Sequence, residues 1–306
     1  MDYKLLNTIK CQQGAVRKVR FNIDGMYCIT CGSDKTLKLW NPHRSLFLKN
    51  YSGHGSDVMD ACGSSDSRQI LSGGSDRAVM VWDVSTGKVL RRFRVHMSTV
   101  TCVRFNEEST LGFSGSLDNA VHIWDLKAHN FQPVQTLKDA KDSITSLLVT
   151  DHEIVTSSLD CRIRRYDIRS GSLTTDFVGS PIVSANMTQD GQCYIAGLDD
   201  SRICLFDKST GELLNEYSGH NTGDYTIDVA VDRKDKIILA GSTDSAIYCW
   251  DLIGSSIVNK LQHEDGTVVH SLHTHPTGAF LMSSTQKFIC GERKIYRKMI
   301  EDLFTW

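Results

Sequence analysis

The stretch "GSDKTLKLW", residues 32–40, joins a turn-like Gly-Ser-Asp to an alternating Leu37-Lys38-Leu39 and then to Trp40. One such segment would be an ordinary strand after a turn, but close relatives of it recur along the chain. They are "GSDRAVMVWD" from Gly74, "GSLDNAVHIWD" from Gly115, "SSLDCRIRRYD" from Ser157, "GLDDSRICLFD" from Gly197 and "GSTDSAIYCWD" from Gly241. A single strand does not need copies of itself, so the sequence predicts an array of repeats.

The spacing of these copies defines the repeat unit. With the Asp of each copy as a marker, the markers are Asp34, Asp76, Asp118, Asp160, Asp200 and Asp244, at intervals of 42, 42, 42, 40 and 44 residues. Six positions after the markers stand the aromatic residues Trp40, Trp82, Trp124, Tyr166, Phe206 and Trp250. A period in the low forties that ends in an aromatic-Asp pair is typical of four strands per repeat, stacked as the blades of a β-propeller. The predicted fold class is therefore all-β.

The repeats resemble the WD-repeat family. "GH" precedes a first strand at Gly53-His54 and Gly219-His220, and "WD" ends the third strand in three blades. This resemblance implies that a His, a Ser or Thr, the marker Asp and the Trp of a blade form a buried hydrogen-bonded network, which we expect to be structural rather than catalytic. The predicted networks are His54, Ser72, Asp76 and Trp82; His96, Ser114, Asp118 and Trp124; and, with Ala240 at the hydroxyl position, His220, Asp244 and Trp250. The other blades have Gln12, Ala140 and Val178 near the His position.

The two ends of the chain predict how the ring closes. Residues 5–10 resemble a fourth strand with no blade before it, and residues 267–285 resemble first and second strands with no fourth strand after them. In the WD-repeat family the first strand joins the last blade, and this resemblance implies a seven-bladed propeller that is closed by the N-terminal strand. We expect the propeller to span residues 1–291.

The last repeat departs from the pattern. Thr285 stands at the Asp position and Gly291 at the aromatic position, so we expect a weak seventh blade. Beyond it, helical spacing predicts an irregular or short helical tail over 292–306. The apolar residues at that spacing are Ile295, Met299 and Leu303.

Composition excludes several classes of protein. A formal net charge of −2 argues against a protein that binds nucleic acid through bulk contacts with the phosphate backbone. No apolar run reaches the length of a membrane span, and the N-terminal residues lack the apolar core of a secretory signal. Ten Cys are scattered at apolar positions, which favours reduced thiols in a cytoplasmic or nuclear protein.

No motif for catalysis or cofactor binding is present, so we expect a protein without enzymatic activity, cofactor or metal. Cys28 and Cys31 form a C-x-x-C, but on one strand they point to opposite faces, so we expect packed thiols. His270, His273 and His275, with His263 nearby, lack a further ligand to complete a zinc site. Solvent-facing histidines are the simpler interpretation of this cluster.

One strand carries an unusual set of arginines, which we treat as a candidate partner-binding spot. Arg165 breaks a series of apolar residues that precede the aromatic in the other blades. Such an arginine either pairs with a carboxylate of a neighbouring blade or binds an acidic or phosphorylated segment of a partner. The members of the spot are Arg162, Arg164, Arg165 and Arg169.

Loop positions supply the remaining candidate contacts, because propellers bind partners through loops on a rigid frame. The candidates on turns before third and first strands are Lys35, Asp57, Arg77, Asn119, Asp142 and Tyr225. Ser180 precedes Pro181 and is a candidate site for a proline-directed kinase.

Several longer segments resemble the mitogen-activated protein kinase organizer subfamily. They are residues 11–42, 151–171, 178–182, 190–193 and 209–220. This resemblance implies a scaffold for kinases of the extracellular-signal-regulated kinase cascade that also associates with the spliceosome in pre-mRNA splicing, in both cytoplasm and nucleus. We expect protein partners, no nucleic acid or membrane contact, and a monomer within larger complexes. A substrate-recognition subunit of a ubiquitin ligase is the alternative, although no adaptor-binding element marks it.

Overall fold

The computed structural model describes residues 3–263, 266–278, 280–284 and 288–293. The strands of these residues form seven four-stranded antiparallel sheets, which confirms the predicted β-propeller. The first strands of successive sheets contact one another. The first strand of the seventh sheet touches the first strands of both the sixth and the first sheets, so the ring is closed.

Within each of the first six sheets the chain runs from the innermost to the outermost strand. The first three sheets consist of β2 (Val16–Phe21), β3 (Cys28–Gly32), β4 (Thr36–Asn41) and β5 (Leu46–Ser52); β6 (Val58–Gly63), β7 (Gln69–Gly74), β8 (Val79–Asp83) and β9 (Val89–Phe93); and β10 (Val100–Phe105), β11 (Leu111–Ser116), β12 (Val121–Asp125) and β13 (Gln135–Leu137). The next three consist of β14 (Ile144–Val149), β15 (Glu153–Ser158), β16 (Arg162–Asp167) and β17 (Leu173–Phe177); β18 (Ile182–Met187), β19 (Cys193–Leu198), β20 (Ile203–Asp207) and β21 (Leu213–Tyr217); and β22 (Val229–Val231), β23 (Ile237–Ala240), β24 (Ala246–Asp251) and β25 (Ile257–Gln262).

The seventh sheet combines both ends of the chain. Its inner three strands are β26 (Ser271–Thr274), β27 (Phe280–Ser284) and β28 (Phe288–Arg293), and its outermost strand is β1 (Tyr3–Ile9). β1 pairs antiparallel with β28, so the N-terminal strand closes the ring as predicted. β28 continues two residues past the expected boundary at 291, and Thr285 and residues 294–306 lie outside the described residues.

Burial explains why the middle strands have apolar residues on both faces. Nearly every residue of β7 and β8 is buried, because each blade packs between two neighbours. The fourth strands are mostly exposed along one side; in β5 only Tyr51 is fully buried. The core is therefore a set of apolar layers between blades.

The turns between second and third strands share one backbone shape. The residue after each marker Asp has a positive φ near 65°, although none of the six is glycine. In five blades the marker carboxylate accepts the backbone N–H two residues further on, which stabilises this left-handed position. These turns and the connections into the first strands lie at the same end of the sheets, and we call that end of the ring the upper face.

Candidate functional site

The second blade has the complete network that the sequence predicted. The Trp82 indole N–H donates to Ser72 Oγ at 2.8 Å, and Ser72 Oγ bonds His54 Nε2 at 2.8 Å. His54 Nδ1 bonds Asp76 Oδ1 at 2.9 Å. Partial burial alone would raise the pKa of Asp76, but hydrogen bonds from His54 and the Gly55 N–H lower it to about 2. A chain of buried polar groups thus joins the core to the upper face.

The third blade repeats this geometry. Trp124 donates to Ser114 Oγ at 2.9 Å, Ser114 bonds His96 Nε2 at 2.8 Å, and His96 Nδ1 bonds Asp118 Oδ2 at 2.9 Å. Asp118 also accepts the backbone N–H of Met97 at 2.7 Å. The carboxylate therefore fixes the loop that carries Met97 as well as the core histidine.

The first blade builds its network from a different residue than predicted. Gln13, rather than Gln12, occupies the His position: its Oε1 accepts from Thr30 Oγ1 at 2.6 Å, and its Nε2 donates to the Thr36 carbonyl at 3.0 Å. Trp40 donates to Thr30 Oγ1 at 2.9 Å. An amide has both a donor and an acceptor, so it can replace a neutral imidazole in this chain.

The third predicted network is not formed. Because Ala240 provides no hydroxyl, the Trp250 indole donates instead to the Ser218 carbonyl at 3.0 Å. His220 Nδ1 is buried and has no hydrogen-bond partner among the described residues. Burial lowers the pKa of His220 to about 4, so the imidazole is neutral at physiological pH.

A basic side chain compensates the marker carboxylate in the fourth, fifth and sixth blades, where no histidine pairs with it. Arg164 lies on the third strand of its blade, Arg202 immediately before the third strand, and Lys260 on the fourth strand. Each lies within 3.1 Å of its carboxylate. The pairs are Asp160–Arg164, Asp200–Arg202 and Asp244–Lys260. The marker Asp is thus paired in these blades too, although the partner differs.

These pairs change the interpretation of the arginine spot. The Arg164 side chain is 3% exposed and binds Asp160 through both terminal nitrogens, so it is not available to a partner. Arg165 Nε lies 3.6 Å from Asp176 Oδ2, and its guanidinium lies 5.8 Å from the centre of the Tyr194 ring in the next blade. Both arginines pair with carboxylates of their own blade, so the structure favours the ion-pairing interpretation over a partner-binding surface.

The other two arginines of the spot lie apart. Arg162 stacks over the Phe177 ring at 5.5 Å on the upper part of its blade. Arg169 is exposed on a turn between third and fourth strands, which lies at the opposite end of the sheets. The four arginines therefore do not form one site.

The remaining candidate contacts all lie on the upper face. Lys35, Arg77, Asp142 and Tyr225 are exposed, whereas Asp57 forms an ion pair with Arg17 and Asn119 Nδ2 donates to the Lys141 carbonyl. Ser180 is half-buried, and its hydroxyl donates to Asp200 Oδ2 at 2.8 Å and accepts from Arg202 at 3.3 Å. The structure brings these positions to one face but not into one cluster.

Two exposed apolar side chains on this face were missed in the sequence. Met97 is 78% exposed and Leu117 is 41% exposed. They flank Asp118, which follows Leu117 in the chain and binds the Met97 N–H. The equivalent positions of the second blade are Gly55 and Ser75, so a comparison of the repeats could have revealed the apolar pair.

His263, His275 and both cysteines of the C-x-x-C are buried in the packed interior. His275 is 6% exposed and contacts the Phe21 ring edge-on at 4.8 Å, so the expectation of solvent-facing histidines is wrong for this residue. Burial lowers the pKa of His273 to about 3. Cys28 and Cys31 are buried in separate apolar layers on opposite sides of their sheet.

One trio in the described part of the chain brings three metal-type ligand atoms within 4.8 Å of one another, namely those of His96, Asp118 and His122. Both nitrogens of His96 already bond Ser114 and Asp118, so the trio fits a hydrogen-bonded network better than a metal site. The described residues also include no helix with the length and apolar character of a membrane crossing.

The charged lining of the central channel was also missed. It comes from equivalent positions of the first strands, at two levels that are two residues apart. The upper level contains Lys18, Asp60 and Asp228, and the lower level contains Arg20, Arg104 and His273. Lys18 and Arg20, two residues apart in "VRKVRF" at residues 16–21, were the available signal.

Asp60 joins three blades across this channel. Its Oδ1 accepts from Arg20 Nε at 3.2 Å, and its Oδ2 accepts from Arg104 Nη1 at 2.7 Å and from the Val103 N–H at 3.2 Å. Burial alone would raise the pKa of Asp60, but the two guanidinium groups hold it well below its usual range. Lys18 pairs with Asp228 in the same channel.

Comparison with known proteins identifies the family of these repeats. The family model "WD domain, G-beta repeat" matches residues 3–41, 45–83, 87–125 and 211–251. Each match begins at or just before the fourth strand of one blade and ends at the third strand of the next. The sequence repeat is therefore offset by one strand from the blade, and this offset puts β1 into the seventh sheet.

Similar proteins extend this match over the whole propeller. WD repeat domain-containing protein 83 of Rattus norvegicus is 57% identical over 281 residues, which cover 92% of this chain and 89% of that protein. Its Homo sapiens counterpart is 56% identical over 284 residues, with 93% and 90% covered. WD repeat domain-containing protein 83 homolog of Dictyostelium discoideum is 35% identical over 301 residues, with 89% and 92% covered.

Proposed function

The chain belongs to the WD-repeat family, and on that premise we propose that it is a non-enzymatic scaffold that holds protein partners on its upper face. The observation that carries this proposal is the apolar pair of Met97 and Leu117, which is exposed at the rim and anchored by the Asp118 network. Exposed apolar residues on a rigid frame, with charged residues around them, favour protein recognition.

Charged and aromatic residues are also exposed on the same face. Arg77 and Asp142 belong to the neighbouring blades and are exposed, and Tyr225 is 47% exposed further round the ring. Charges of both signs at the edge of an apolar contact favour specificity over raw affinity.

We propose further that the partners include kinases of the extracellular-signal-regulated kinase cascade and proteins of the spliceosome. The support is the resemblance of residues 11–42 and 151–171 to the mitogen-activated protein kinase organizer subfamily. Activity in both cytoplasm and nucleus follows from these two sets of partners, and the chain then acts as a monomer within larger complexes.

The test is affinity purification of the tagged chain with quantitative mass spectrometry, beside the double variant Met97→Gly and Leu117→Ser. These substitutions copy Gly55 and Ser75 of the second blade, so the fold should tolerate them. We expect kinase-cascade or splicing proteins to drop by about tenfold in the variant, because a lost apolar anchor costs more than 1 kcal/mol. Thermal unfolding checks that the variant keeps its stability.

A matched control locates the surface. Ile253 is 87% exposed on the turn between the third and fourth strands of the sixth blade, on the face opposite the upper face. Ile253→Ser therefore removes a comparable apolar side chain from that opposite face. Equal losses in both variants would contradict a specific upper-face surface. Recovery of a cullin adaptor in place of both protein sets would favour the ubiquitin-ligase alternative.

A further inference from the structure

The central channel carries an excess of positive charge. Three cations, Lys18, Arg20 and Arg104, face two carboxylates, those of Asp60 and Asp228, which leaves a formal charge of +1. Lys18 and Asp228 balance each other as a pair. Asp60 is the single carboxylate that pairs with both Arg20 and Arg104, so the excess positive charge lies on these two guanidinium groups.

These guanidinium groups retain unused hydrogen-bond donors. Arg20 contacts Asp60 through Nε, and Arg104 contacts Asp60 and the Val103 carbonyl through Nη1. Both terminal nitrogens of Arg20 and the Nη2 of Arg104 donate to no residue that the structure describes. The side chains are 15% and 20% exposed, so these donors are largely withdrawn from bulk solvent.

A cavity of about 290 Å³ lies beside both arginines. Across it stand Ser184 and Asn186, which occupy the levels of Asp60 and Arg20 on the fifth blade. Ser184 Oγ accepts the Val229 N–H at 3.2 Å, so its own proton can point into the cavity. The cavity therefore offers two cations and a neutral donor around one space, which is larger than a single ion needs.

We propose that the central channel binds a small oxyanion, a phosphate or a carboxylate, with Arg20 and Arg104 as its charged ligands. An oxyanion neutralises the excess charge, and its oxygens match the planar fork of a guanidinium group. Asp60 fixes the orientation of both arginines and remains ionised. The site does not depend on the proposed scaffold function.

The oxyanion has two sources, a free inorganic ion or an acidic side chain of a partner. Titration calorimetry of the purified full chain with inorganic phosphate and with acetate tests the site, with chloride as the reference ion. A Glu-rich peptide then competes with phosphate: displacement assigns the channel to a partner's carboxylate, and phosphate binding without displacement assigns it to the free ion.

Variants connect the binding to the two arginines. Arg104→Met leaves Asp60 paired with Arg20 and removes the excess charge, so phosphate affinity should fall by about tenfold or more. Arg104→Lys keeps the positive charge but loses the planar guanidinium group, so this variant should bind phosphate with intermediate affinity. It replaces the Arg104→Met variant if that variant fails to fold. Arg202→Met is the matched control, because Arg202 also pairs with carboxylates but lies outside the channel.

Two results would overturn the proposal. One is that the folded wild-type chain binds neither phosphate nor acetate at millimolar concentration. The other is that the Arg104 and Arg202 variants bind phosphate equally well, which would place the ion elsewhere on the surface.

Discussion

A single hydroxyl decides whether a blade forms its buried network. Ser114 Oγ accepts from Trp124 and bonds His96. With Ala240 at the equivalent position, Trp250 donates to a backbone carbonyl, and His220 Nδ1 has no partner among the residues that the structure describes. Buried polar groups without partners are costly, so the hydroxyl matters more than its size suggests.

Ser114→Ala should lower the free energy of unfolding by about 1–3 kcal/mol, because a buried indole N–H and a buried imidazole nitrogen each lose a partner. Urea unfolding of the full chain measures this loss. If the Trp124 indole N–H then donates to the carbonyl of residue 94, as that of Trp250 donates to the carbonyl of residue 218, the loss should lie at the lower end of this range.

Ser170→Ala is the control, because Ser170 is exposed on a lower turn and its loss should change the stability by less than about 0.5 kcal/mol. Equal effects of the two substitutions would show that the Ser114 network contributes no specific stability.

At the scale of the element, one strand completes the whole ring. β1 pairs along β28 from Tyr3 to Ile9 and covers the edge that β28 would otherwise expose. An uncovered strand edge has unpaired backbone groups and promotes aggregation. The closure therefore depends on the strand furthest in sequence from its partner.

Deletion of residues 1–9 should lower the midpoint of thermal unfolding by about 10 °C or more and promote aggregation, since the seventh sheet loses its outer strand. Differential scanning calorimetry and light scattering measure the two effects. A synthetic peptide of residues 1–10, added in trans, should restore much of the midpoint by pairing with β28.

Lys10→Ala tests the neighbouring position, because Lys10 is exposed immediately after β1 and should tolerate the change. A truncated chain that melts like the full chain and ignores the peptide would contradict the closing role of β1.

At the scale of the whole molecule, stability should depend on pH through histidines distributed around the ring. Burial lowers the pKa of His122, His220 and His270 to about 4 from the usual value of 6.5. Between these values the unfolded chain binds protons that the folded chain does not. The contribution of these neutral histidines is thus complete above pH 6.5 and is lost as the pH falls toward 4.

Urea unfolding at a series of pH values should show a falling free energy of unfolding from pH 6.5 to pH 4. The marker carboxylates act at lower pH, since the pKa of Asp76 is lowered to about 2 and its contribution is lost only below the usual Asp range. His122→Gln should flatten part of the slope, whereas His152→Gln, at an exposed position, should not. A flat profile over this range in the wild-type chain would refute the prediction.

Repetition along the chain was enough to predict the fold and the networks of two blades. The period of the marker Asp and its aromatic predicted the blades, because an identical residue at each repeat must occupy an identical place in a stacked array. His54 and His96 followed from the same alignment, since the bonds that they make lie within one repeat.

Contacts between blades, in contrast, depend on how the ring closes and could not be predicted from the repeats. Arg165 is held partly by Tyr194 of the next blade, and Asp60 binds arginines of the blades on both sides. Periodicity gives the position of a residue within its repeat but not the side chain that it meets across the ring. The channel and its charges therefore emerged only when closure brought the first strands of distant repeats together.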